Sequence, residues 1–316
     1  MKIAILDDYL NCANKFAPFA DLGKDHQLKI YNGKLPDADL PAELRQYDVL
    51  LVMRERTAFT AGLLRQLPNL KLIVSTARRN DAIDLDACKA GNIMVCGTDS
   101  PGFATAELAF SLIMAAAKGL ITEHNSMQHG GWQTCLAQDL RGSTLGVIGL
   151  GRLGGQLTVY AHALGMKVIA WSQNLIADHA VKSGVEPVSK ADLMSRADYI
   201  SIHLRLSDRT HHLVGASDLA RMKQGAWIVN TSRAQIIDMV ALVSALKSGK
   251  INAALDVFEI EPLPEDSELR LLPNLILSPH KGYVSNGTFE VFYKQSYQVL
   301  QAWLDHKPIN ILTGEV

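Results

Sequence analysis

An arginine, a carboxylate and a histidine stand just past the ends of three successive apolar runs: Arg233 after "AWIVN", Glu261 after "NAALDVF" and His280 after "NLILSP". Together these residue types suit hydride transfer to a carbonyl: a guanidinium fork holds a carboxylate, an imidazole gives or takes a proton, and an anion orients the imidazole. Ligands of open parallel sheets sit outside the carboxyl ends of strands, so polar residues there carry more weight than polar residues elsewhere. Singly, each has an ordinary alternative. Arg233 could pair at the surface, Glu261 could be a solvated loop acid, and His280 could be a satisfied turn histidine. Three strand ends in succession argue for a site.

Such placement needs a parallel sheet, and the chain supplies the pattern for two. Apolar runs of strand length alternate with longer segments of helical period from end to end, which gives an α/β fold class with doubly wound parallel sheets. In the first hundred residues "KIAIL", "VLLVM", "LKLIVST" and "IMVCG" read as strands, with "TAGLLRQL" and "DLDACKAG" as helices. A long helix runs from about Ala104 to Lys118, and a second series follows: "TLGVIG", "KVIAW", "YISIHL", "AWIVN", "NAALDVF" and "NLILSP". A last helix from about Ser285 to Asp305 returns toward the first series, so the chain changes domain near residues 100 and 285.

The second series opens with "VIGLGRLGGQL", which spaces Gly149, Gly151 and Gly154 as GxGxxG between a strand and a helix. Alone the spacing is weak; with a strand before it and a helix and a second strand after it, it predicts a dinucleotide site. Gly149 permits the tight turn, Gly151 admits a pyrophosphate against the backbone, and Gly154 lets the helix pack on the strand. The helix start at Arg152 and Leu153 offers free N–H groups to phosphate. At the end of the next strand, a carboxylate would hold the adenosine ribose and repel a 2′-phosphate. Here stand Ser172, Gln173 and Asn174. The residue that excludes NADP is missing, and the arginine that would select it is absent too, so NAD or NADP is expected. A solvated loop over 172–174 remains the plain alternative.

Composition narrows the partners. The 316 residues are 48% hydrophobic and carry a formal net charge of -1, without long blocks of one sign, so a small molecule is expected rather than nucleic acid or a membrane surface. The opening "MKIAILDDYL" meets Asp7 and Asp8 too soon for a signal peptide, and "FATAELAFSLIMAAAKGLI" is broken by Glu107 and Lys118, so a buried helix and a cytoplasmic protein are expected. Cys12, Cys88, Cys96 and Cys135 show no zinc spacing, and no metal site is expected.

The combination "GLGRLG", "NTSR", "ALDVFEIEP" and "PHKG", with "ATAEL" and "AIDLDA", resembles the NAD(P)-dependent D-2-hydroxyacid dehydrogenases, of the glyoxylate and hydroxypyruvate reductase kind, over essentially the whole chain. The resemblance implies a flavodoxin-like substrate domain of residues 1–100 with 285–316, into which a Rossmann-type nucleotide domain, 101–284, is inserted. It implies a homodimer with residues 120–145 as a contact arm. Arg233 would bind a small 2-oxo or 2-hydroxy acid, His280 would be the acid/base, and Glu261 would orient the imidazole and favour its protonated form. Asp256 would receive the nicotinamide carboxamide, and Thr105 and Thr231 would contact the cofactor. The family also includes a corepressor that keeps the dehydrogenase site, and enzymes acting on formate or phosphite, which stand as alternatives.

The sequence departs from the family at the substrate loop, where "STARRNDAID" puts Ala77 and Arg79, with Arg78 between, in the places of two glycines. Backbone donation to a carboxylate is expected there with less freedom, while Arg78 and Arg79 either reach a second acidic group or are surface charges. Past another strand end, strand alternation turns only one of Arg54 and Arg56 inward. Ala234, in place of a glycine, would be strained if its backbone needs positive φ, and Lys281 would oppose Glu261 unless it points to solvent.

Overall fold

The structure is a computed structural model that describes residues 1–22 and 25–314; residues 315 and 316 of the returning C-terminal segment lie outside the described residues. Two compact units divide the chain, Met1–Pro101 with Ser285–Val316 and Gly102–Val284.

The first unit holds a five-stranded parallel sheet of β1 (Lys2–Ile5), β2 (Gln27–Ile30), β3 (Val49–Val52), β4 (Leu72–Ser75) and β5 (Met94–Gly97). Its order, β2-β1-β3-β4-β5, is the flavodoxin-like winding. The inner strands "VLLV" and "LIVS" are buried at every position, as a sheet covered on both faces requires. β2 escapes a sequence reading because it is an edge: Gln27 and Lys29 are exposed, so its apolar signal is half erased. The returning helix Asn286–Leu304 begins where the Ser285 hydroxyl accepts the Thr288 N–H. It buries Phe289, Phe292, Tyr293, Ser296, Val299 and Leu300, a stripe of helical period. Phe292 is 0% exposed, a burial worth about 1.5–3 kcal/mol. The Tyr293 hydroxyl donates to Asp8 Oδ1 at 2.9 Å, and the backbone beyond the helix bonds β5 through Leu312 N to Val95 O at 2.7 Å.

The second unit holds seven parallel strands: β6 (Thr144–Ile148), β7 (Lys167–Trp171), β8 (Glu186–Pro187), β9 (Tyr199–Ile202), β10 (Trp227–Asn230), β11 (Asn252–Leu255) and β12 (Leu275–Leu277). The order β12-β11-β10-β9-β6-β7-β8 is the dinucleotide-binding winding, with its reversal between β6 and β9. Six of these strands are legible as apolar runs; β8 is a two-residue edge strand too short to leave a pattern. Strand alternation feeds two cores. Leu145 and Val147 join Val229 and helix Ala104–Ala117 on one face, while Ile148, Ile200 and Ile228 join the helices of the other. Ala104, Ala106, Ala109 and Ala117 are buried on that long helix, small enough to let it lie close to the sheet. Among the described residues no single helix is long and apolar enough to cross a membrane.

Candidate active site

β10 ends at Asn230, whose side chain ties the turn: its Nδ2 donates to Arg233 O at 2.9 Å and its Oδ1 accepts from Ser232 N at 3.0 Å. Ser232 Oγ donates to Ile202 O on β9 at 2.7 Å, so Arg233 leaves a turn pinned to two strands. Its guanidinium Nη1 meets Ser232 O at 2.7 Å. Ala234 follows as the first residue of a short 3-10 turn and is 2% exposed; it is not among the positive-φ residues, so the strain envisaged for it does not arise.

Past β11, Glu261 Oε1 accepts the Phe258 N–H at 2.9 Å and Oε2 lies 2.6 Å from His280 Nδ1. The two side chains are 33% and 27% exposed, sheltered but reachable. Burial pushes the Glu261 carboxyl up, but the hydrogen bond and charge of His280, the Phe258 N–H and the Arg233 charge outweigh it and hold the group below its ordinary 4.5. His280 and Arg233 therefore both act on the Glu261 carboxylate. His280 itself sits at φ 51, a left-handed backbone of the kind that gathers at functional sites.

The loop carrying His280 is held from beneath. Asp256, 0% exposed, accepts Ser278 Oγ at 2.5 Å and Lys281 N at 2.7 Å on Oδ1, and Gly282 N at 2.8 Å on Oδ2. Thr105 Oγ1, from the long helix, donates to Gly282 O at 2.7 Å. Both residues are thus already engaged by this loop, a role that sequence reasoning did not give them. Burial raises the Asp256 carboxyl above its usual range, and the three donors and the His280 charge offset this only in part. Lys281 bonds Asp256 through its backbone and is exposed as a residue.

The two carboxylates have opposite linkage. Glu261, depressed when folded, contributes stability that is present above 4.5 and lost as pH falls through its lowered value. Asp256, raised when folded, contributes stability that is present below 3.8 and lost as pH rises through its raised value. Urea unfolding of wild type and Glu261→Gln from pH 3 to 7 is expected to show a stability gap that opens as pH rises toward about 5. A gap independent of pH, or wider in acid, would contradict this account of Glu261.

The glycine turn fits a dinucleotide. Gly149 has φ 100, and a Cβ there would stand 2.7 Å from His203 O; a Cβ on Gly154 would collide with the Gly149 carbonyl. Gly151 has no heavy atom within 4 Å of the corresponding place, which leaves open space against the backbone at the start of helix Arg152–Ala163. The N–H groups of Arg152, Leu153 and Gly154 open that helix, where no intrahelical acceptor exists. Among the described residues, three buried polar atoms in this unit lack a protein partner: Gln156 Oε1 on the helix after the glycine turn, Thr231 Oγ1 at the end of β10 and His203 Nδ1 at the end of β9. His203 was invisible as a site residue because it closes an ordinary strand run; burial drives its imidazole down to about 4, so it is neutral. At the end of β7, Ser172 is half-buried and Gln173 and Asn174 are exposed. Arg209, from the loop after β9, accepts Gln173 Nε2 on its carbonyl at 3.4 Å and places Nη2 3.5 Å from Asn174 Oδ1.

In the first unit the substrate-loop expectation changes. Ala77 has a left-handed backbone, with φ 68, and its N–H is spent on Thr98 Oγ1 at 2.8 Å. That donor is not free for a ligand. Arg78 pairs with Asp99 and Arg79 with Asp81, each at 2.8 Å and largely exposed, the geometry of surface ion pairs. Arg54 and Arg56 lie in a 3-10 turn, so strand alternation does not sort them. Arg54, at φ 50, donates its N–H to Thr76 Oγ1 and pairs with Glu55; Arg56 bonds Asp7 O and covers the Tyr9 ring.

A family model described as "D-isomer specific 2-hydroxyacid dehydrogenase, NAD binding domain" matches residues 110–282, the stretch that holds the glycine turn and Arg233, Glu261 and His280. The chain belongs to this dehydrogenase family. It is 35% identical over 295 residues to a glyoxylate reductase of Aeropyrum pernix, covering 89% of this chain and 87% of the relative. To a D-3-phosphoglycerate dehydrogenase of Methanocaldococcus jannaschii it is 39% identical over 253 residues, 78% of this chain but 48% of that longer protein. A solved phosphoglycerate oxidoreductase of Vibrio cholerae superposes with a TM-score of 0.92 at 34% identity, covering 97% of this chain and 99% of that one. Membership in the D-isomer specific 2-hydroxyacid dehydrogenases makes the chain a nicotinamide-dinucleotide-dependent enzyme, and its fold has two parallel-sheet α/β units.

Proposed function

We propose that this dehydrogenase reduces a small 2-oxo acid to the D-2-hydroxy acid, glyoxylate and hydroxypyruvate being the substrates of choice. The observation that carries the reading is the 2.6 Å contact between His280 Nδ1 and Glu261 Oε2, with the Arg233 charge acting on the same carboxylate. With Nδ1 engaged, Nε2 is the imidazole atom left to serve the substrate. Arg233 holds the substrate carboxylate through its fork and polarises the adjacent carbonyl. His280 gives its Nε2 proton to the carbonyl oxygen as the carbonyl carbon is reduced, and takes it back in the oxidation direction. Glu261 fixes the tautomer and offsets the charge of the imidazolium. The nicotinamide, when bound, supplies the hydride. The glycine turn with Arg152, Leu153 and Gly154 holds its pyrophosphate, and the unpartnered Thr231 hydroxyl is a polar contact for the rest of the cofactor.

The names of similar proteins support a 2-hydroxy or 2-oxo acid substrate. Loss of nicotinamide absorbance with glyoxylate and hydroxypyruvate is the test, run beside formate and phosphite oxidation. Turnover of the 2-oxo acids is expected. Turnover confined to formate or phosphite, or cofactor binding with no turnover as in a corepressor, would overturn the proposal.

The same protein is proposed to be a homodimer. Leu120, Met127, Trp132 and Leu136 are 62%, 56%, 73% and 92% exposed in one segment of the second unit, an apolar surface a monomer rarely leaves open. Sedimentation equilibrium is expected to give a dimer for wild type and dissociation for Leu136→Asp; a monomeric wild type would contradict it.

A further inference from the structure

The end of β7 offers a ribose site without a carboxylate. From Trp171 to Ala177 the chain reads "WSQNLIA", and the next acid is Asp178 inside the following helix. The site adjoins the glycine turn directly, since Gly149 N donates to Trp171 O at 2.9 Å. The same turn is flanked by the loop after β9: His203 N bonds Ile148 O at 2.8 Å, and a Cβ on Gly149 would touch both His203 O and the Leu204 side chain. Three segments therefore converge, and the loop after β9 brings cations that the end of β7 lacks.

That loop is firmly shaped. Thr210, 9% exposed, accepts Ser207 N at 2.8 Å and donates to Arg205 O at 2.6 Å, and His211 N bonds Ser207 O at 2.9 Å. It presents Arg205 and Arg209 exposed, with Asp208 as its one carboxylate. Arg209 is placed by Gln173, whose Nε2 donates to its carbonyl at 3.4 Å, and its Nη2 reaches Asn174 Oδ1 at 3.5 Å. This last contact is long. Charge-assisted hydrogen bonds to phosphate settle at about 2.7–2.9 Å, so a 2′-phosphate would displace the amide at little cost.

We propose that Arg209 makes this protein select NADPH over NADH by binding the 2′-phosphate of the adenosine ribose, with Ser172, Gln173 and Asn174 as neutral donors around it. The selection has both halves that discrimination needs: the repulsive carboxylate is missing at 172, and an attractive guanidinium arrives from the neighbouring loop. It rests on the dinucleotide reading of the glycine turn.

The test is fluorescence titration of NADPH and NADH, without substrate, into wild type, Arg209→Ala, Arg209→Glu and Ser172→Asp. Wild type is expected to bind NADPH about tenfold or more tighter, and the ratio of the two dissociation constants should collapse by about tenfold in Arg209→Ala and further in Arg209→Glu. Ser172→Asp, which restores the repelling charge, should lower the ratio independently. Equal affinities in wild type, or a ratio unmoved by both Arg209 variants, would overturn the role of Arg209 and leave the dinucleotide site standing. Binding of neither nucleotide would overturn the site and this inference together.

Discussion

Replacing His280 by asparagine is expected to lower kcat for 2-oxo acid reduction by about 10²–10⁴-fold, the range a positioned acid/base contributes. Asparagine is the informative choice because position 280 has φ 51, and asparagine tolerates left-handed backbone better than most residues. The loop then keeps its bonds to Asp256 and Thr105, while no group at 280 can hand over a proton. Cofactor binding, measured by titration, should hold, since the glycine turn lies on other strands. Turnover within tenfold of wild type would remove His280 from the chemistry. Glu261 would then be an anion with no imidazole to serve.

Arg233→Ala is expected to cost as much, but in kcat/KM. Two charge-assisted hydrogen bonds to a carboxylate, at about 1.5–3 kcal/mol each, amount to roughly 10²–10⁴-fold. Arg233→Lys keeps the charge that acts on Glu261 and loses the planar fork, so it should recover only a minor part. The combination separates two roles. If lysine restored full activity, Arg233 would be serving as a charge beside Glu261 and not as a substrate clamp. Steady-state kinetics with glyoxylate at varied concentration distinguishes these outcomes.

How much of this was legible beforehand follows from what leaves a trace in a sequence. Buried parallel strands such as "VLLV" and "TLGVI" announce themselves as apolar runs, and the turn at Gly149 announces itself by spacing. Edge strands do not: β2 is half polar and β8 is two residues long. Arg233, Glu261 and His280 could be singled out as candidates because each follows a readable strand. Three features were not legible because they exist only once distant segments meet. Asp256 and Thr105 hold the His280 loop through Gly282, Arg209 reaches the end of β7 from the loop after β9, and the Ala77 N–H is taken by Thr98 from the next strand end. The condition under which Ala234 would be strained is not met for a related reason: φ belongs to the turn that Asn230 and Ser232 pin, not to the residue that a family commonly places there.

The most direct measurement is the fate of label when hydroxypyruvate is incubated with the protein and a nicotinamide cofactor dideuterated at C4. The account predicts D-glycerate carrying one deuterium at C2. L-Glycerate, glycerate without label, or no glycerate while the cofactor demonstrably binds would contradict it.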